Sequence, residues 1–292
     1  ESLGSAVVAV RRGNVPADKV LIVNGFDRVD KTQAFRQTLP NSLVIDRVRP
    51  RFANTQDYTV LAGEAVEAFA PRAVGFDSAN AKAVELGQVN LNNYFGVIWL
   101  AGEQSTVGGV FSPTLQTMIT NFVNAGGDIF VSGAEVGFNL VAQGGGASFF
   151  NNTLKAGYVA DDASTYNTTG VAGSIFSGIS LSFDSRATLY DADFPDVLST
   201  FGGSTSAMSY STGGVAAVSF ANETTGARIV TMGFPFETIT TVANRNAVMA
   251  GVLGFFGVDF IPPTIVGSYF EYQDEQHVTI TFSEDVGASL AL

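Results

Sequence analysis

The sequence predicts an α/β protein. It reads as a doubly wound, mostly parallel sheet with an antiparallel β insertion and a short C-terminal β hairpin. Three observations carry this. Short, continuously apolar runs recur along the chain and end at turns. A strand buried on both faces reads that way, and parallel sheets bury both faces. Amphipathic stretches lie between these runs, and strand alternating with helix implies right-handed βαβ units.

Ser5–Arg12 reads as a short strand, making residues 1–17 an N-terminal strand or the remnant of a preceding module. The first core run is Lys19-Val20-Leu21-Ile22-Val23-Asn24-Gly25. The same signature appears at Ser42–Asp46, Phe95–Gly102, Asp128–Gly133 and Ala227–Phe234. Asp57–Phe69 places Val60, Leu61, Ala65, Val66 and Phe69 at helical spacing. Ser112-Pro113 opens a second helix with a cap and a proline at its first position, and Ala125-Gly126-Gly127 closes it. Asn244–Phe256 is the last helix. Between them, Gly170–Phe220 breaks the rhythm with alternating strands at Ser174–Phe183, Ala207–Tyr210 and Val215–Phe220, read as the antiparallel insertion. The α/β domain spans 18–260. Ile261-Pro262-Pro263 is a linker, and Thr264–Tyr272 with His277–Phe282 forms the hairpin over 261–292. One hairpin cannot bury a core alone.

The 292 residues include 27 acidic and 15 basic side chains, a net charge of −12. There is no Cys and one His, His277. Cysteine nucleophiles, disulfides and Cys-ligated zinc are therefore excluded. The acidic balance argues against nucleic-acid binding, which needs clustered Lys and Arg. No apolar run reaches the roughly 18 residues of a membrane span. Gly144-Gly145-Gly146 lacks the Lys and spacing of a phosphate cradle, so no nucleotide or flavin is expected. Low charge, many Ser, Thr, Asn and Gly, and a chain starting at Glu1 predict a mature product or excised fragment, secreted or displayed on a bacterial surface.

Several segments resemble a known group. They are Val20–Arg28, Phe76-Asp77-Ser78-Ala79-Asn80, Leu100-Ala101-Gly102-Glu103, Val131–Gly137 and Gly233–Ile239. Together they resemble secreted bacterial proteins labelled "xanthan lyase", whose central domain is similar to the class I glutamine amidotransferase, flavodoxin-like fold. The tail, Pro262-Pro263-Thr264 with Phe282–Val286, resembles the opening of a bacterial Ig-like module. The resemblance implies a nucleophilic Cys on the turn after a central strand. Here that turn reads Ser132-Gly133-Ala134-Glu135, and Phe236-Glu237 stands where a His-x-Glu pair would be. Glutaminase chemistry is excluded on residue identity.

Ligands in open α/β sheets bind outside the carboxyl ends of the strands. There the sequence places Asn24, Asp27 and Arg28 after the first strand, then Glu103, Glu135 and Glu237 after three others. Converging carboxylates can act as a general acid and base, hold a hard cation such as Ca²⁺, or pair with Arg28 and Arg245 and only brace loops. The expected catalytic set is Glu103, Glu135, Glu237, Asp27 and Ser132. Asn24, Arg28 and Phe236 are expected at the substrate, and Asp27, Glu103 and Glu135 at any Ca²⁺. Ser132 lacks the G-x-S-x-G spacing of a nucleophile elbow, and a buried capping hydroxyl is the competing reading. Asp161-Asp162 and Asp191-Ala192-Asp193 read as acidic turns. His277 reads as solvent-facing and Trp99 as core.

Two functions follow as expectations. One is a hydrolase or lyase-like enzyme acting on a sugar, ester or lactone through the carboxylate crevice. The other is an inactive amidotransferase-like scaffold or carbohydrate-binding domain. The hairpin offers an edge for self-association.

Overall fold

The structure is a computed structural model describing residues 18–29, 35–47, 54–69, 74–184, 189–257, 264–272 and 277–283. The strand expected at Ser5–Arg12 and the linker at Ile261-Pro262-Pro263 lie outside these residues. The chain forms β1 (Lys19–Asn24), then a ribbon of β2 (Phe35–Thr38) and β3 (Val44–Arg47), then α1 (Thr59–Glu67). Next come β4 (Gly75–Asn80), α2 (Ala81–Glu85), β5 (Gly96–Gly102), α3 (Pro113–Asn124) and β6 (Asp128–Gly133). A π-helical turn (Phe138–Ala142) and α4 (Ala147–Asn152) lead into β7 (Ala156–Ala160), β8 (Asn167–Gly170), β9 (Ser180–Ser182) and β10 (Val197–Thr200). The chain closes with β11 (Thr205–Tyr210), β12 (Val215–Ala221), β13 (Arg228–Met232), α5 (Val242–Phe255) and the hairpin β14 (Ile265–Glu271) and β15 (His277–Phe282).

Five parallel strands order as β4-β1-β5-β6-β13. Counted along the chain this is 2-1-3-4-5, the flavodoxin-like order, whose switch point lies between β1 and β5. Beyond β13 the sheet continues antiparallel through β12, β11, β8 and β9, with β10 bridging β12 and β7. All residues of β5 and β6 are buried, as their continuous apolar runs require. One face packs Val20, Ile22, Ile98, Leu100 and Phe130 against α1 and α5. The other packs Leu21, Val23, Val97, Trp99, Ile129 and Val131 against α2, α3 and α4. Each fully buried large side chain contributes about 2 kcal/mol of transfer free energy.

Local chemistry sets the helix ends. Ser112 Oγ accepts the Leu115 N–H at 3.3 Å, Pro113 starts the helix, and Gly126 at φ +98 ends it. Thr241 caps α5 through the Asn244 N–H at 3.2 Å.

Two expectations need correction. Ser42–Asp46 is not a central strand: among the described residues β3 pairs only with β2, and Leu43 and Val44 are 53% and 50% exposed. Its apolar run is too short and is flanked by charge. The position beside β1 belongs to β4, whose sequence Gly-Phe-Asp-Ser-Ala-Asn is polar because it is the sheet edge. The expected strand at Ser174–Phe183 shrinks to Ser180–Ser182. Ser174 Oγ donates to Ala207 O at 2.9 Å, and the chain before β9 turns through Gly173 and Gly178 at positive φ.

Candidate functional site

The exits of β1, β5 and β6 are tied together by the backbone. The Gly25 N–H donates to Leu100 O and the Ala134 N–H to Gly102 O, both at 2.8 Å. Gly102 sits at φ +55, and a Cβ there would stand 2.3 Å from Phe26 Cδ1. Only glycine lets the ring of Phe26 close against this strand end. The next residues, Arg28, Glu103 and Glu135, are thereby presented at one rim.

These three line a crevice of about 380 Å³ with Ser105, Thr106, Phe138, Asp161, Asp193 and Phe194. It lies at the carboxyl ends of β1, β5 and β6, beside the switch point. Asn54 Nδ2 donates to Phe26 O at 2.8 Å and Arg28 O at 2.9 Å. Gln104 Oε1 accepts the Arg28 N–H at 3.1 Å, and Arg28 Nη1 donates to Glu103 O at 3.4 Å. The Arg28 backbone is thus fixed from both sides.

Glu103 Oε1 accepts the Asp193 N–H at 2.9 Å. Burial raises the Glu103 carboxyl well above the ordinary range, and the charges of Asp193 and Asp191 add to this. The Asp193 N–H and the Arg28 charge pull the other way and lose. Glu135 Oε2 accepts the Ser105 hydroxyl at 2.9 Å. Burial pushes Glu135 up to about 7, helped by Asp161 and Asp193 and opposed by Ser105 and Arg28. One arginine charge therefore acts on both glutamates, which line the same crevice. Asp161 is also raised, first by burial and then by Asp162, and its Oδ1 is buried without a hydrogen bond. Phe194 stands on the lip, 52% exposed and at φ +55. That conformation is costly for a bulky side chain and marks functional loops.

The segment carrying Asp193 and Phe194 is pinned at both flanks. Asp196, fully buried, accepts the Gly137 N–H at 2.5 Å and the Phe138 N–H at 3.1 Å, capping the turn that follows Glu135. Tyr190 donates its hydroxyl to Glu237 Oε1 at 2.7 Å. Its ring packs edge-on against Phe26 at 5.1 Å and Tyr58 at 5.3 Å.

The other expected site residues fall elsewhere. Glu237 is 1% exposed, walled off by Tyr190, with Oε2 unpartnered and its proton affinity pushed up by burial to about 7. Asp27 is exposed and does not line the crevice. Ser132 is fully buried, and its Oγ accepts the Phe236 N–H at 3.3 Å, tying β6 to the turn after β13. It has no opening through which to act as a nucleophile. Phe236 is itself core, edge-on to Phe130 at 6.1 Å. Asn24 braces its own turn, accepting from Phe26 N at 3.1 Å and donating to Gln56 O at 3.3 Å. Arg245 donates to Ile239 O at 2.7 Å, at the turn beyond Glu237. Among the described residues no three Asp, Glu or His side chains gather as metal ligands. Of the three residues expected at a Ca²⁺, Glu103 and Glu135 line the crevice and Asp27 does not. Sequence reasoning missed Ser105, Phe138 and Phe194. Ser105 was within reach of it, two residues beyond Glu103 in the same loop.

No family model matches the chain, and no curated protein matches it. Among solved structures, a cold-adapted β-galactosidase from Rahnella sp. R3 matches at TM-score 0.45 and 16% identity, over 83% of this chain and 31% of that one. The mmIFT52 N-terminal domain matches at TM-score 0.48 and 11% identity, over 83% and 99%. A glutamine amidotransferase from Thermotoga maritima matches at TM-score 0.44 and 12% identity, over 82% and 96%. The chain spans less than a third of the β-galactosidase. At these scores the likenesses carry no argument about activity. The mixed α/β architecture with its mostly parallel sheet is read from the strands themselves. No helix among the described residues is long and apolar enough to cross a membrane.

Proposed function

We propose that the crevice is the active site of a hydrolase that works by carboxyl acid–base catalysis on a sugar, ester or lactone. The observation that supports it is the placement of Glu103 and Glu135 on adjacent strand ends, in one crevice, with proton affinities raised from different starting surroundings. Glu103, the more deeply buried and with its carboxyl raised well above the ordinary range, serves as the acid. Glu135, near 7, is the base. The Glu135 carboxylate takes a proton from water as the water oxygen bonds to the anomeric or acyl carbon. The bond from that carbon to the leaving oxygen breaks, and Glu103 delivers its proton to that oxygen. Arg28 holds negative charge that develops on the substrate, and Phe138 and Phe194 offer apolar faces to a ring.

Turnover of chromogenic glycosides, esters and lactones tests this. Acid–base residues contribute about 10²–10⁴-fold in rate, so Glu135→Gln and Glu103→Gln are each expected to lose that much. Full activity in both variants ends the proposal. A second reading, a carbohydrate-binding or scaffold domain of a secreted surface protein, draws on Ser132 and Glu237, both shut off from solvent. Glycan binding without any turnover favours it.

A further inference from the structure

A second cavity lies at the opposite rim of the sheet, roughly 20 Å from the crevice by the rise of six strand residues. It measures about 550 Å³ and is bordered by residues at the amino ends of the parallel strands: Asp18 before β1, Phe95 before β5, and Asp128 at the start of β6. Phe122, Phe256 and Tyr94 complete an aromatic wall. A Cβ at Gly127 would stand 2.3 Å from the Phe122 ring, so only glycine lets that ring reach the wall.

One carboxylate in this wall is largely buried. Asp128 is 7% exposed. Its Oδ1 accepts the Arg228 N–H at 2.7 Å, and Arg228 turns its own guanidinium to Gly226 O at 2.7 Å. Asp128 borders the cavity, and a carboxylate has acceptor capacity beyond that one bond. The Arg228 charge also acts on this carboxylate, and a largely buried carboxylate gains from a further cationic partner. A buried acid beside aromatic faces suits a flat cation, attracted both by the carboxylate and by the rings.

We infer that this cavity is a binding site for a small organic cation with an aromatic or planar apolar body, whose charged nitrogen pairs with the Asp128 carboxylate. Pockets of this size, mostly apolar with few convergent polar groups, are the form small-ligand sites take. The site is independent of the carboxylate crevice.

Benzamidine is the probe, with neutral benzamide as its near-isosteric control, followed by protein-observed NMR titration at pH 8. Burial pushes Asp128 up to about 7, so its carboxyl is mostly ionised there. Benzamidine is expected to shift amides around Asp128, Gly127 and Gly226 saturably, and to bind at least tenfold tighter than benzamide. Asp128→Asn keeps an oxygen for the Arg228 N–H and is expected to weaken benzamidine at least tenfold. Ala125→Trp, placed at the exposed mouth, blocks the cavity without touching the core and is expected to abolish the shifts. Glu135→Gln is expected to bind as wild type. Absence of saturable shifts, equal affinity for benzamide, unchanged binding by both cavity variants, or shifts confined to the crevice would overturn the inference.

Discussion

Glu103 Oε1 accepts the backbone N–H of Asp193 at 2.9 Å, so the wall of the crevice hangs on the carboxyl expected to act in it. The two roles separate by substitution. Gln keeps an oxygen acceptor for Asp193 but cannot deliver a proton as an acid does. Glu103→Gln is therefore expected to hold the segment 189–196 in place while turnover falls. Glu103→Ala removes both, and amide hydrogen exchange at Asp193 is expected to rise at least tenfold. Equal exchange in the two variants would show that the hydrogen bond does not fix the segment.

Ser105 tunes Glu135. Its hydroxyl donates to Oε2 at 2.9 Å and is the largest influence lowering that carboxyl against burial. Ser105→Ala removes a hydrogen bond to the charged form, so the Glu135 carboxyl rises above about 7. If Glu135 is the base, the acidic limb of the kcat/KM profile moves to higher pH. The rate at pH 6 falls severalfold while the rate at pH 8.5 stays near wild type. An unshifted limb assigns that limb to another group.

The parallel frame was legible because β1, β5, β6 and β13 are buried on both faces and had to be apolar. β4 was not legible, since an edge strand carries Asp77, Ser78 and Asn80 without cost, while Ser42–Asp46 mimicked a core strand with too few residues. Glu103 and Glu135 could be read because each directly follows a buried strand. Glu237 follows one too, yet Tyr190 from a loop with no local signal covers it. Asp161 and Asp193 were visible only as acidic turns, because their place depends on long-range pairing of the antiparallel extension. The positive φ of Phe194 leaves no mark in a sequence.

Glu237 contributes to the pH dependence of stability, in the same direction as Glu103 and Asp196, whose carboxyls burial also raises. Its folded carboxyl is pushed up by burial from 4.5 to about 7. Between those values the folded state binds more protons than the unfolded state, so stability falls as pH rises through the window and levels off above it. The full effect is on the order of 3 kcal/mol at 1.36 kcal/mol per pKa unit. Glu135 and Asp128, both raised to about 7, act in the same direction with less weight because they are less buried. The melting temperature is expected to decline from pH 5 toward pH 8. Glu237→Gln, which keeps an acceptor for Tyr190, is expected to flatten that decline. A melting temperature that rises from pH 5 to 8 in wild type would contradict the buried-carboxyl account.

Asp196 links stability to the crevice. Its carboxyl caps the Gly137 and Phe138 N–H groups, and its backbone N–H donates to Ala134 O at 3.0 Å, on either side of Glu135. Asp196→Ala leaves two helix-end donors with no acceptor, at least one of them buried. Each costs about 1–3 kcal/mol, so a loss of about 3 kcal/mol is expected in denaturant unfolding. Asp196→Asn retains one acceptor and turns an amide toward the other N–H, so about half that loss is expected. Because Phe138 borders the crevice, the Asn variant is also expected to raise KM more than it lowers kcat. A destabilised variant with unchanged KM would confine Asp196 to holding the fold and detach the cap from the site.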